Sequence, residues 1–168
     1  MNKFILLAIS AIFLLSIGAM AQSALPKGQN QINFGLGFSD KGIPLYFGFD
    51  HAVHNNVTLG AEVSFRNYKE NFRSSDYRHR VIGLAGTANY HFNNVFSIPP
   101  VWDFYAGANI GFNIYNSPDN YEGDDVSGLG IGLQVGGRYF FSKKTGINLE
   151  FGGGNAFSGG KLGLTVKL

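Results

Sequence analysis

Four histidines are the first candidates for chemistry in this chain: His51, His54, His79 and His91. A histidine acts as a catalytic base only with a nucleophile and an orienting acid in hydrogen-bond reach. His79 alone has such groups close by in sequence, namely Ser74, Ser75 and Asp76. No motif links them, so a solvated histidine is expected there. The run Asp119-Asn120-Tyr121-Glu122-Gly123-Asp124-Asp125 gathers oxygen ligands of the kind calcium prefers. Its spacing is not that of an EF-hand loop, and a solvated acidic loop is expected. The chain has no cysteine, which excludes disulfides, thiolate metal sites and a cysteine nucleophile. No catalytic, metal or cofactor site is therefore expected. Two other groups of charges stand out. Lys69, Arg73, Arg78 and Arg80 form a basic cluster of a type suited to phosphate contact, although a plain solvated hairpin tip is the first expectation there. Glu62, Arg138 and Glu150 are isolated charges inside otherwise uncharged runs.

What must position these residues is a sheet. There are 24 glycines and 16 phenylalanines, and only 14% of the residues are charged, against roughly a quarter in a soluble domain. Lys and Arg number 13 and Asp and Glu 11, a balance that gives no reason to expect a nucleic-acid partner. One apolar stretch is long enough to cross a bilayer as a helix, and it is N-terminal. Lys3 precedes it, Phe4 to Ile17 are almost all apolar, and Ala19-Met20-Ala21 ends it with small residues. These are the parts of a secretory signal peptide over residues 1–21, cleaved before Gln22. Residues 22–168 are then expected to form one domain.

After a short lead-in over residues 24–30, expected to be exposed, the polarity alternates with period two. Apolar sets run Ile32 to Phe38, Leu45 to Phe49, Val57 to Phe65, Ile82 to Phe92, Phe104 to Ile114, Leu129 to Tyr139, Ile147 to Phe151 and Leu162 to Leu168. Between them lie turns or loops at 39–42, 54–56, 69–76, 93–100, 116–125, 142–144 and 155–160. Pro99-Pro100 forbids a ladder in the longest short-side connection. Eight runs predict an all-β, eight-stranded antiparallel up-and-down barrel.

The polar face decides which way the barrel is turned. It consists of Gly, Asn, Thr and Ser with about one charge per strand, whereas a water-facing wall usually carries more Lys and Glu. Small residues suit the lumen of an eight-stranded barrel, which side chains just fill. The bulky face of Phe, Leu, Ile and Val suits lipid tails, so a transmembrane β-barrel is expected. Glu62, Arg138 and Glu150 then share the lumen. An ion pair between Arg138 and at least one of the two glutamates is expected, because buried charges are costly unless paired. Aromatic girdles are expected at one rim from Phe38, Tyr68, Tyr77, Tyr115 and Phe157. At the other rim they are expected from Tyr90, Phe92, Trp102, Phe104 and Tyr139. The connections at 39–42, 69–76, 116–125 and 155–160 are assigned to the extracellular side and the others to the periplasm.

Three segments carry a family resemblance. They are Gly136-Gly137-Arg138-Tyr139-Phe140-Phe141-Ser142-Lys143 with Gly146 and Leu149-Glu150-Phe151-Gly152, then Tyr105-Ala106-Gly107-Ala108-Asn109-Ile110-Gly111, and the closing Leu164-Thr165-Val166-Lys167-Leu168. The chain resembles the small porin-like outer-membrane β-barrels, the group of OmpX-like proteins and the membrane domain of OmpA-like proteins. The resemblance implies a bacterial outer-membrane location and contact with outer-membrane lipids. It also implies insertion by the barrel-assembly machinery, with the last strand as the signal. Lipopolysaccharide phosphates would then lie level with Lys69, Arg73, Arg78 and Arg80. A non-enzymatic barrel with a structural or surface-contact role is expected. The alternatives are a narrow passive channel, a lipid-modifying barrel enzyme, and a soluble exported calyx for an apolar ligand. No particular surface partner is legible.

Overall fold

The computed structural model describes residues 24–39, 42–72, 75–116, 127–154 and 158–168. The expected signal peptide lies outside them. Among the described residues eight strands follow in chain order. They are β1 (Asn30–Phe38), β2 (Leu45–His54), β3 (Val57–Phe72), β4 (Ser75–His91), β5 (Trp102–Asn116), β6 (Gly128–Phe140), β7 (Thr145–Gly154) and β8 (Gly159–Lys167). Each strand is antiparallel to its neighbours. β1 closes on β8, from Gln31 opposite Lys167 to Phe38 opposite Gly160. Closure removes the free edges that an open sheet would leave. The expected up-and-down barrel of eight strands is what forms. We call the rim at the start of β1 and the end of β8 the terminal rim, and the opposite one the distal rim.

Alternation sorts the side chains by face. Leu133 on β6 is 71% exposed on the outside, while the next residue, Gln134, is buried inside. Phe47 and Leu84 are likewise exposed, and Asp50 and Asn89 are buried. Gly60 also faces the lumen, where a Cβ would strike the Asp50 carboxylate. A soluble calyx carries its apolar face inward, so the calyx alternative does not fit this wall. The inverted pattern is that of a membrane barrel. Lumen glycines make room for buried rings. A Cβ on Gly136 would overlap the Tyr105 ring, and one on Gly163 would meet the Tyr46 hydroxyl.

Three expectations about connections need correction. Residues 69–76 do not form an open loop. The β3–β4 ladder continues through Lys69 opposite Arg78, Asn71 opposite Asp76 and Phe72 opposite Ser75. Backbone pairing sustains the hairpin although every residue from Lys69 to Asp76 except Phe72 is polar and the period-two signal disappears there. The connection expected over 155–160 is shorter, since Gly159 and Gly160 already pair with Gly152 and Phe151. The lead-in is not exposed throughout. Ala24 and Leu25 are buried, and the segment is tied to β2 by Gly28 N–H to the Ala52 carbonyl (2.7 Å) and Ala52 N–H to the Gln29 carbonyl (2.9 Å). Gly28 takes φ +86°, a turn conformation that glycine adopts freely.

The two girdles differ in outcome. At the terminal rim Trp102 packs on Tyr139 (4.7 Å between centroids) and Phe104 (5.8 Å), and Tyr90 on Phe92 (5.5 Å). At the distal rim, among the described side chains of the expected set, Phe38 alone stands exposed on the wall. Tyr68 stacks on the buried ring of His79 (4.9 Å), and the Tyr115 hydroxyl accepts from Arg66 Nη2 (3.3 Å). Strand parity turns both tyrosines inward: Tyr68 is in step with Glu62, and Tyr115 with Tyr105. Phe157 and the side chain of Tyr77 lie outside the described residues.

Candidate functional site

The lumen holds a polar network to which every strand contributes. At its centre is Arg138 on β6, fully enclosed. Its Nη1 donates to Asp103 Oδ2 on β5 (2.7 Å) and its Nη2 to Asp50 Oδ2 on β2 (3.1 Å). The guanidinium also lies over the Tyr105 ring, 4.3 Å from the centroid. Asp50 Oδ2 accepts from Gln31 Nε2 and Asn33 Nδ2 on β1, both at 2.9 Å. Asn33 in turn accepts from the Thr165 hydroxyl on β8 (2.7 Å). The other oxygen of Asp103 meets His91 Nδ1 on β4 (2.7 Å), and His91 Nε2 meets the Thr58 hydroxyl on β3 (3.0 Å).

Tyr105 joins this cluster to a second one. Its hydroxyl donates to Glu150 Oε2 on β7 (2.8 Å). Lys161 on β8 then donates to Glu150 Oε1 (3.0 Å) and to both oxygens of Glu62 on β3 (2.7 and 2.8 Å). Nearby, Tyr46 donates to Asn148 Oδ1 (3.1 Å). An amide relay crosses the same level, from Asn109 to Gln134 (2.8 Å) and from Gln134 to Asn89 (2.7 Å).

The expected lumen residues Glu62, Arg138 and Glu150 therefore all belong to this interior, but the pairing differs from the expectation. Arg138 takes the two aspartates, and both glutamates take Lys161. The register explains the exchange. Asp103 stands directly opposite Arg138, whereas Glu150 stands opposite Gly136 on one side and Lys161 on the other. Asp50, Asp103, Lys161 and Tyr105 are not marked out by the sequence as site residues, and His91 is marked only as one of four histidines. Parity puts each on the polar face, but the cross-strand partners depend on the stagger between strands.

Thr58, His91 and Asp103 reproduce the hydroxyl–imidazole–carboxylate order used in nucleophilic catalysis. Thr58 is only 1% exposed, so its hydroxyl meets no substrate, and the chain acts as a staple between β3, β4 and β5. His79, expected to be solvated, is instead buried under Tyr68, because the extended hairpin brings Tyr68 opposite it. Around the network the free space is small. A cavity of about 20 Å³ lies among Asp50, Glu62, Tyr105, Arg138 and Lys161, enough for about one water molecule. A second, of about 40 Å³, lies between Glu62, Ser64, Arg66 and Asn113 toward the distal rim.

No protein-family model and no curated protein matches the sequence. Solved structures do. The chain aligns with the outer membrane protein OprG from Pseudomonas aeruginosa at a TM-score of 0.66 and 9% identity, over 86% of this chain and 97% of that one. The N-terminal β-barrel domain of Pseudomonas aeruginosa OprF gives 0.56 and 14% identity, over 84% and 98%. A de novo designed transmembrane β-barrel gives 0.52 and 17%, over 84% and 97%. The fold is that of a small outer-membrane β-barrel.

On this small outer-membrane barrel fold the described side chains of the basic cluster, Lys69 and Arg80, lie beyond the apolar belt toward the distal rim. The outward face of β3 is apolar as far as Phe65 and then continues with Asn67 and Lys69, both exposed. Arg80 is exposed on β4, two residues beyond Ile82. Arg78 lies opposite Lys69 in the ladder, with its side chain outside the described residues. Arg73 and the acidic run from Asp119 to Asp125 also fall outside them.

Proposed function

We propose that the protein is an integral outer-membrane barrel without enzymatic activity, which stabilises the envelope or presents its distal connections at the cell surface. The inverted wall carries this reading: apolar side chains stand exposed on the wall, and the charges of its middle section, Asp50, Asp103, Arg138, Glu150 and Lys161, are enclosed. In hydrocarbon, backbone groups must be satisfied within the protein, and a closed barrel does so by leaving no free sheet edge. On this reading the first 21 residues direct export and are removed, and the assembly machinery inserts the barrel. The terminal rim then faces the periplasm and the distal rim the exterior. Lys69 stands about 13 Å along the strand beyond Phe65, at a level suited to lipopolysaccharide phosphates. Arg80, Arg78 and Arg73 extend the same cluster.

The linked charges and the one-water cavity between them support a plug over a channel. Washed outer membranes are expected to retain the protein with heat-modifiable migration, and planar bilayers to show no conductance steps. Recovery from the soluble periplasm would overturn the membrane reading. Steady conductance would replace the plug with a pore. For the basic cluster, Lys69→Glu with Arg80→Glu is expected to weaken lipopolysaccharide binding without changing the folded fraction.

A further inference from the structure

The connection over residues 93–101 is long for the terminal rim, and it is built rather than slack. Val95 and Phe96 N–H groups both donate to the Phe92 carbonyl (3.1 and 3.0 Å), and Ile98 N–H to Asn93 (2.9 Å). Ser97 closes this turn at φ +52°. Asn93 Nδ2 pins the far end through the Trp102 carbonyl (2.6 Å). Asn94 Nδ2 reaches Asn56 Oδ1 in the neighbouring turn (2.7 Å). Beside the exposed Ser97, this frame holds two apolar side chains outward: Val95 is 55% and Phe96 68% exposed. Phe96 is also continuous with the barrel wall. Its ring packs on Phe92 (5.9 Å), which packs on the outward-facing Tyr90 (5.5 Å). Residues 92–102 contain no charged side chain, whereas the 142–144 turn on the same rim carries Lys143 and Lys144.

We propose that this connection is an interfacial anchor that seats Val95 and Phe96 in the periplasmic leaflet of the bilayer around the barrel. The inference rests on the transmembrane reading above. An aromatic path that leaves the wall and continues below it extends the apolar belt to the headgroup boundary. Aromatic residues are favoured at that boundary. The uncharged surface favours lipid over a protein partner, whose interface would carry a polar rim.

Trp102 is the only tryptophan in the chain and supplies an internal reference. The test places a single tryptophan at the tip, Phe96→Trp with Trp102→Phe, in phosphatidylcholine vesicles with brominated acyl chains. Val95→Trp in the same background repeats it should the first variant fail to fold. Emission from the tip is expected to be quenched by chains brominated near the carbonyl end, about as strongly as native Trp102, and shielded from aqueous acrylamide. Tip emission open to acrylamide and blind to bromine, with Trp102 still quenched, would place the connection in water and overturn the anchor alone. Shielding from both quenchers would assign the tip to a protein contact and overturn it too. If native Trp102 is also blind to bromine, the transmembrane reading falls and the anchor with it.

Discussion

Arg138 and Asp103 face each other across the β5–β6 ladder, with Nη1 2.7 Å from Oδ2 and both side chains sealed from solvent. Removing one partner of such a pair leaves the other charge buried and alone. Arg138→Leu leaves the Asp50 carboxylate with only the neutral donors Gln31 and Asn33, while Asp103 keeps His91. The substitution is expected to lower stability by about 3–5 kcal/mol. The urea midpoint of unfolding in liposomes measures this, and an unchanged midpoint would show that the cluster is dispensable.

Lys161 allows a sharper experiment, because one cation serves two carboxylates. Lys161→Met is expected to cost about 3–5 kcal/mol for the same reason. Adding Glu62→Gln and Glu150→Gln should recover most of that loss, since neutral groups need no counter-ion. If the triple variant is no more stable than Lys161→Met alone, packing by the lysine stem rather than charge is what matters.

The tight fit at Gly136 gives a prediction without charge. Alanine there forces the buried Tyr105 ring to move. A loss of about 1–3 kcal/mol is expected, as for other overpacked interiors. The Tyr105–Glu150 hydrogen bond should weaken with it, seen as a changed tyrosine environment in ultraviolet difference spectra.

How far could these relationships be seen beforehand? Strand number, face and closure were legible, because period two is a local property and eight runs repeat it. The inward place of Glu62, Glu150 and Arg138 followed from parity alone. Their partners did not. Parity is read along one strand, whereas partnership is set across strands by stagger: a shift of two residues between β6 and β7 would put Glu150 rather than Asn148 opposite Arg138. The upper β3–β4 hairpin was hidden for another reason. From Lys69 to Asp76 polar residues occupy both parities, Phe72 excepted, so the pattern no longer marks a strand that backbone pairing still holds.

Position along the wall provides the last prediction. Leu133 lies midway along the outward face of β6, and Leu129 lies at its distal end. Leu133→Arg is expected to destabilise by about 2–4 kcal/mol, and Leu129→Arg by about 0–1 kcal/mol. Equal costs at the two sites would mean that the middle of the wall does not face hydrocarbon.

The Lys161 contacts also order events in time. Glu62 is on the third strand and Glu150 on the seventh, yet the ammonium that neutralises both arrives with the eighth. A nascent sheet lacking that final segment carries two uncompensated anions beside two open seams. Sealing the seam and quenching the charge are therefore one act, and a halfway product has little to hold it in oil.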